Sequence, residues 1–447
     1  MASSKQKEKE VMEEIRKDLA NRNRSVRALG CKSLAQFKNK ASSYLLVQML
    51  SDSDPDVRFH AAESILKIGT PAINCLITAL SHSEWIVRKQ SSDLLKKMAD
   101  SDKSIITLLR DNLKSDDSNI KFWAVKTLCE LKDDQIMPNI KKIFKSGGAE
   151  DKIAIAGAIS DININDEFKL LLLNGLSDNI WRVRKACADA LLKGGKNIIN
   201  DVILKLSSDN IDTYYWATKI LGMLKDDSAV EPLLEILKGD DDEKIEFAII
   251  ALGEIANPKA TNSLIELLKS DSWTIRKNAA EAIMNIGEPV MPEVYKAYKS
   301  EDTTDDMRYW CVRIAYNFKC ESSSKLIYEA LFDTKWFIRS CACHALLKYN
   351  EFSNKHIEKL FLMQKEKNAE VRQSAEAVLN IIENDKLYKI SVEILSSKDC
   401  PAELNDLITH YFKSRGLKQP AATKQIGSEN RGNKLKEVTK IKIIKNK

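Results

Sequence analysis

Residues 54–69 read DPDVRFHAAESILKIG, and the same pattern returns as WRVRKACADALLKGG at 181–195 and WTIRKNAAEAIMNIG at 273–287. In each, an apolar residue precedes a basic one, here Arg58, Arg184 and Arg276. A small residue follows three positions later and a Leu or Ile seven positions later. Offsets of 3, 7 and 10 mark one face of an amphipathic helix. The small residue lets a neighbouring helix approach, and the Leu or Ile fills the space between them.

Working outward, the basic anchor recurs at Arg27, Arg58, Arg88, Lys121, Lys152, Arg184, Arg276, Arg308, Arg339 and Arg372, with Tyr214 and Ile245 in register between. The twelve anchors are spaced 30 to 33 residues apart. The residue three after the anchor is small in eleven of the twelve, from Gly30 to Ala375. Ahead of each anchor lies a polar break such as SDSDPD (51–56), and ahead of that another apolar helix such as AVEPLLEILK (229–238). Each unit is therefore helix A, turn, helix B, with Asp and Ser placed to cap helix B. A single unit cannot bury its apolar face, whereas stacked units bury a continuous core.

These stretches, together with DDSAVEPLLEILKGDDDE (226–243), resemble the HEAT-repeat superfamily, specifically the short phycobilisome-lyase-type HEAT-like repeats. The resemblance spans residues 5–385 and implies an all-α fold, a right-handed α-solenoid of about twelve helix pairs of ~31 residues. It implies little about activity, because the superfamily hosts many. The repeats at Lys152, Tyr214 and Ile245 depart from it, with Asp151, Thr213 and Lys244 in place of the apolar residue. The expected organisation is a repeat array over 1–384, capping helices over 385–412 and a basic tail over 413–447.

A longer period sits above the shorter one. FWAVK (122–126), YWATK (215–219) and YWCVR (309–313) recur about every third repeat, between residues 71 and 350. The repeat before each has a Trp three residues ahead of its anchor: Trp85, Trp181 and Trp273. These three and Trp336 are read as packing in the turn. The recurring triplets are Phe122, Trp123 and Lys126; Tyr215, Trp216 and Lys219; Tyr309, Trp310 and Arg313. If their Trp faces away from the core, they form three aromatic and cationic binding stations, very roughly 30 Å apart along the concave groove of a HEAT fold. If it faces the seam between repeats, it is core.

The anchor row is read as a structural ladder rather than an anion site, since Asp52, Asp178, Asp302 and Asp333 each lie six residues before an anchor. Cys341, Cys343 and His344 are read as core filling, because i, i+2 and i+3 on a helix do not converge on one ion. No His-Glu dipeptide occurs, which sets the chain apart from HEAT-type iron hydroxylases. Phosphate-binding and nucleophile-elbow motifs are absent as well. No catalytic residue and no cofactor is expected.

The 447 residues are 44% hydrophobic and 30% charged, a folded composition. The start is polar, without the apolar core of a secretory signal, and no run of 18 apolar residues occurs. Nine scattered Cys suit free thiols in a reducing compartment, hence a cytoplasmic setting, or a nuclear one in a eukaryote. The tail 413–447 carries eleven Lys/Arg against two Glu, and the total of +6 leaves −3 for residues 1–412. Lys434, Lys436, Lys440, Lys442, Lys445 and Lys447 close that tail and suit an anionic partner: nucleic acid, membrane surface or an acidic protein. Three functions follow. The first is a non-enzymatic scaffold holding a protein partner in its groove. The second, implied by the repeat family's name, is a bilin-lyase-like chaperone of tetrapyrrole attachment. The third is a nucleic-acid binder acting through its tail.

Overall fold

A computed structural model describes residues 2–162, 165–349, 352–397 and 400–420. Its described residues hold 26 α-helices and no strand. The chain divides into two compact units, Met1–Ala260 and Thr261–Lys447. The first holds eight helix pairs; the second holds four, followed by the pair Asn384–Leu395 and Ala402–Ser414 at the expected capping position. The boundary between the units falls between repeats 8 and 9. Among the described residues no helix is long and apolar enough to cross a membrane.

All twelve anchors fall inside a B helix, including the three divergent ones, which lie in Ala149–Ser160, Ile211–Leu224 and Asp242–Ile255. Polar caps start many of them. Asp54 accepts from the Asp56 N–H, Asn210 from Thr213, Asp241 from Lys244 and Ser272 from Ile275. Each bond satisfies a backbone donor that the first turn would leave orphaned. The core follows the offsets read from sequence. Ala61, Ala124, Cys187, Ala217, Ala248, Ala279 and Cys311 are fully buried, as are Ile65, Leu95, Leu128, Leu252 and Leu379. Each such Leu or Ile contributes roughly 1.5–3 kcal/mol of burial.

Helices come close where side chains vanish. A Cβ on Gly175, the last residue of the A helix Asp166–Gly175, would collide with the Sγ of buried Cys187 and lie 3.3 Å from its Cβ. Gly175→Ala should therefore cost about 1–3 kcal/mol by overpacking, despite alanine's better helix propensity. Combining it with Cys187→Ala should recover part of that loss in urea denaturation. Simple additivity of the two changes would show that the close approach is not the cause.

The anchors form the ladder in two steps. The guanidinium first turns back to its own loop. Arg58 Nη1 donates to the carbonyls of Asp52 and Ser53 at 2.7 and 3.0 Å, and Arg276, Arg339 and Arg372 do the same in theirs. Some anchors, guanidinium or ammonium, reach an acid of the following repeat: Arg27 to Asp52 at 2.7 Å, Lys152 to Asp178 at 2.7 Å, Arg308 to Asp333 at 2.8 Å and Arg339 to Glu366. Arg276 departs from the expected partner, standing 3.8 Å from Asp306 rather than bridging to Asp302. Where Tyr214 replaces the cation, its hydroxyl donates to the carbonyl of Lys244 at 3.0 Å and keeps the rung with no charge at all.

Burial opposes ionisation of Asp52, but hydrogen bonds from Arg27 and the Asp54 N–H outweigh it and hold the carboxyl below its usual range. Asp178 is held low in the same way, by Lys152 and the Ile180 N–H.

Candidate functional site

The three recurring triplets do not present their indoles. Trp123, Trp216 and Trp310 are 3%, 8% and 6% exposed, so the station reading fails for all three tryptophans. The reason lies in the helix turn. Positions 1 and 2 after the anchor differ by about 100°, enough to place them toward opposite neighbours. The ring at position 1 leans on the next repeat. Phe122 faces Gly157, Tyr215 stands 5.1 Å from Phe247, and Tyr309 stands 6.1 Å from Phe337. In the third triplet the Trp at position 2 leans back, with Trp310 6.4 Å from Trp273 of the preceding repeat.

What these triplets do present is a cation on an aromatic base. Each Trp meets its neighbouring ring edge-on, at 74–81°. The basic residue three positions later covers it. Lys126 lies 5.2 Å from the Trp123 ring, Lys219 5.5 Å from Trp216, and Arg313 5.7 Å from Trp310. The outer charges differ in their partners. Lys126 pairs with Asp161 at 2.9 Å, and Asp161 also takes Lys193. Lys219 and Arg313 meet the hydroxyls of Tyr215 and Tyr309, and among the described residues neither has a carboxylate within 4 Å. The first station is thus neutralised, while the other two keep an open positive charge.

The exposed tryptophans are the other set. Trp85, Trp181, Trp273 and Trp336, expected as turn packing, are 56%, 57%, 59% and 42% exposed. Each is the first residue of its B helix. Three of these four helices have no side-chain cap at all, their preceding residues being Glu84, Ile180 and Lys335. A small or capped start would serve the helix better. An indole there gains little for folding, and it recurs at one register in both units. The sequence signal was the position itself: the helix's first residue lies beyond the reach of the adjoining turn, where Pro55 sits in repeat 2.

Within the second unit the two sets meet. Five rings run in sequence from Trp273 through Trp310, Tyr309 and Phe337 to Trp336, with steps of 6.4, 5.6, 6.1 and 5.9 Å. Beside them a cleft of about 500 Å³ opens among the helices Trp273–Ile286, Asp305–Ala315 and Trp336–Leu346, lined by Trp273, Lys277, Tyr309, Arg313, Tyr316 and His344 among others. In the first unit a smaller pocket of about 150 Å³ adjoins Tyr215, Lys219 and exposed Ile250.

Cys341 borders the larger cleft, but burial pushes its thiol up to about 11, and that of fully buried Cys343 to about 12. Neither is poised as a thiolate nucleophile or ligand. His344 turns its Nδ1 to the carbonyl of Ser340 at 2.9 Å. Among the described residues no group of three His, Cys, Asp or Glu is placed to hold a metal ion. Lys434, Lys436, Lys440, Lys442, Lys445 and Lys447 lie outside the described residues.

The family described as HEAT repeats matches residues 12–96 and 230–310, and the PBS lyase HEAT-like repeat matches 213–239. No curated protein matches the sequence. Among solved structures, the fold is similar to Kap121p bound to Pho4p, at 12% identity over 89% of this chain and 53% of that one, with a TM-score of 0.43. It is also similar to Kap95p in a structure of its binding to RanGDP, at 12% identity over 91% of this chain and 63% of that one, with a TM-score of 0.39. Human deoxyhypusine hydroxylase aligns at 17% identity over 57% and 98%, TM-score 0.25. The chain spans about half the length of the Kap121p chains it matches.

Proposed function

We propose that this chain, a member of the HEAT-repeat superfamily, is a non-enzymatic scaffold that holds protein partners along the outward face of its B helices, in a cytoplasmic setting. The observation that carries this reading is the register of the four surface tryptophans. Trp, Tyr and Arg dominate binding hot spots, and these four indoles share one helix position, the first residue of the B helix. The open charges of Lys219 and Arg313 add polar contacts beside them. The buried Trp123, Trp216 and Trp310 serve as foundation rather than contact.

The test is a quadruple Trp→Ala variant at 85, 181, 273 and 336. It should melt within a few degrees of the parent, because each indole is largely in water. Against extract from the native source, proteins retained specifically by the parent should be lost. An unchanged set of retained proteins would end the scaffold reading at this face. The basic tail is a separate site in this proposal, offered to an anionic partner.

A further inference from the structure

The cleft of the second unit has a chemistry narrower than general protein binding. Its walls are aromatic, with Trp273 59% and Tyr316 39% exposed. Each of its cations stands over a ring. Lys277 is 5.7 Å from Trp273 and Arg313 is 5.9 Å from Tyr309. The carboxylate lining the cleft is Glu281, 3.7 Å from Lys277, which it partly offsets. Among the described residues Arg313 has no carboxylate within 4 Å. An unneutralised cation, with Lys277 in the same cleft, thus sits on a chain whose first 412 residues sum to −3. A volume of about 500 Å³ accepts a large side chain with its flanking backbone.

From this complementarity we propose that the cleft docks a short acidic segment of a partner protein, one aromatic or branched apolar side chain against Trp273 and Tyr316, with flanking carboxylates on Arg313 and Lys277. Guanidinium is the apt donor, because its fork matches a carboxylate with two parallel bonds. Tyr309 holds Arg313 in place through its ring and hydroxyl, the latter at 3.4 Å, so less side-chain freedom is lost on binding. Single-stranded nucleic acid also favours rings and cations, but it needs a basic track along its phosphates. The cleft offers two cations, Lys277 and Arg313, too short a run for such a track.

This inference rests on the scaffold reading and sharpens it to one site and one partner chemistry. The experiment uses the full chain and fluorescence anisotropy with four labelled probes. They are a nine-residue peptide of Glu and Asp with a central Phe, its Phe→Ser version, a version with Lys for every acid, and a 15-nucleotide oligothymidylate. The acidic Phe peptide should bind best, and at least tenfold better than the Ser and Lys versions. Arg313→Glu and Trp273→Ala should each weaken it at least tenfold, while Phe59→Ala, an exposed ring of the first unit, leaves it unchanged. Both residues are exposed, and unaltered melting of the variants shows that the fold is intact. Equal binding of acidic and basic peptides, or insensitivity to Arg313→Glu, would overturn the proposal. Tighter binding of the oligonucleotide, lost in the same variants, would reassign the cleft to nucleic acid. If the quadruple Trp variant loses its partners yet the peptide ignores the cleft, the scaffold stands and this assignment falls. If the peptide binds as described while partner capture is unchanged, the scaffold reading fails instead.

Discussion

Replacing Trp310 by alanine should lower the stability of the second unit by roughly 3–5 kcal/mol, the usual cost of emptying a large aromatic site. Trp273→Ala, in contact with it, should cost less than about 1 kcal/mol, as exposed substitutions do. Trp310 is 6% exposed and supports Tyr309, Trp273 and Arg313 at once. Its removal opens the seam between repeats 9 and 10 and unseats the cation above it. In a repeat array, stability is close to a sum of unit and interface contributions, so damage at one seam uncouples its neighbours. Urea denaturation followed by circular dichroism should show the Trp310→Ala transition at clearly lower denaturant and Trp273→Ala near the parent. Comparable shifts for the two would mean that the inner and outer tryptophans have been told apart wrongly.

The second large effect is expected at Asp333. Its carboxylate is 5% exposed and accepts from Arg308 Nε at 2.8 Å, the Tyr298 hydroxyl at 3.2 Å and the Lys335 N–H at 2.9 Å. Asp333→Ala strands a guanidinium that is itself only 18% exposed, and breaking one side of a buried pair costs about 3–5 kcal/mol. Asp305, 2.7 Å from Arg308, softens the loss toward the lower figure. Asp306→Ala is the control: its side chain is 61% exposed and 3.8 Å from Arg276, so about 0.5 kcal/mol or less is expected. The phenol of Tyr298 gives a second readout. Burial, then the charge of Asp333, push its ionisation above the ordinary tyrosine range. Alkaline ultraviolet titration should find it easier to ionise in Asp333→Ala. Equal stability losses at positions 333 and 306 would remove the ladder as a source of cohesion.

The architecture was legible in the sequence because repetition states each rule many times over. Anchor, small residue and Leu or Ile recur at fixed offsets, and the contacts they make are the contacts the offsets imply. Tyr214 and Ile245 kept the register even without the cation, since the apolar positions around them carried the packing. Of the two readings left open for Trp123, Trp216 and Trp310, the core one holds, while the turn-packing reading of Trp85, Trp181, Trp273 and Trp336 does not, for a definite reason. Periodicity gives the direction a side chain takes from its own helix axis, but not whether a neighbouring helix stands there. Position 2 after the anchor packs into a seam, whereas the first residue of the B helix stays half in water even where, as with Trp273, it touches the next repeat, and only the stacked coordinates show it. Pairings such as Lys126 with Asp161, 35 residues apart, were hidden for the same reason: they cross a seam at no fixed offset.

One rung of the ladder behaves unlike the rest. The bond from the Tyr214 hydroxyl to the Lys244 carbonyl joins two neutral groups, whereas the rungs from Arg27, Lys152 and Arg308 join opposite charges. Brine screens charge and acid discharges carboxylates, but neither touches a phenol bound to a peptide oxygen. The rung between repeats 7 and 8 is therefore a contact that neither salt nor acid weakens, set beside a Lys196–Asp226 pair at 2.8 Å across the same seam that feels both.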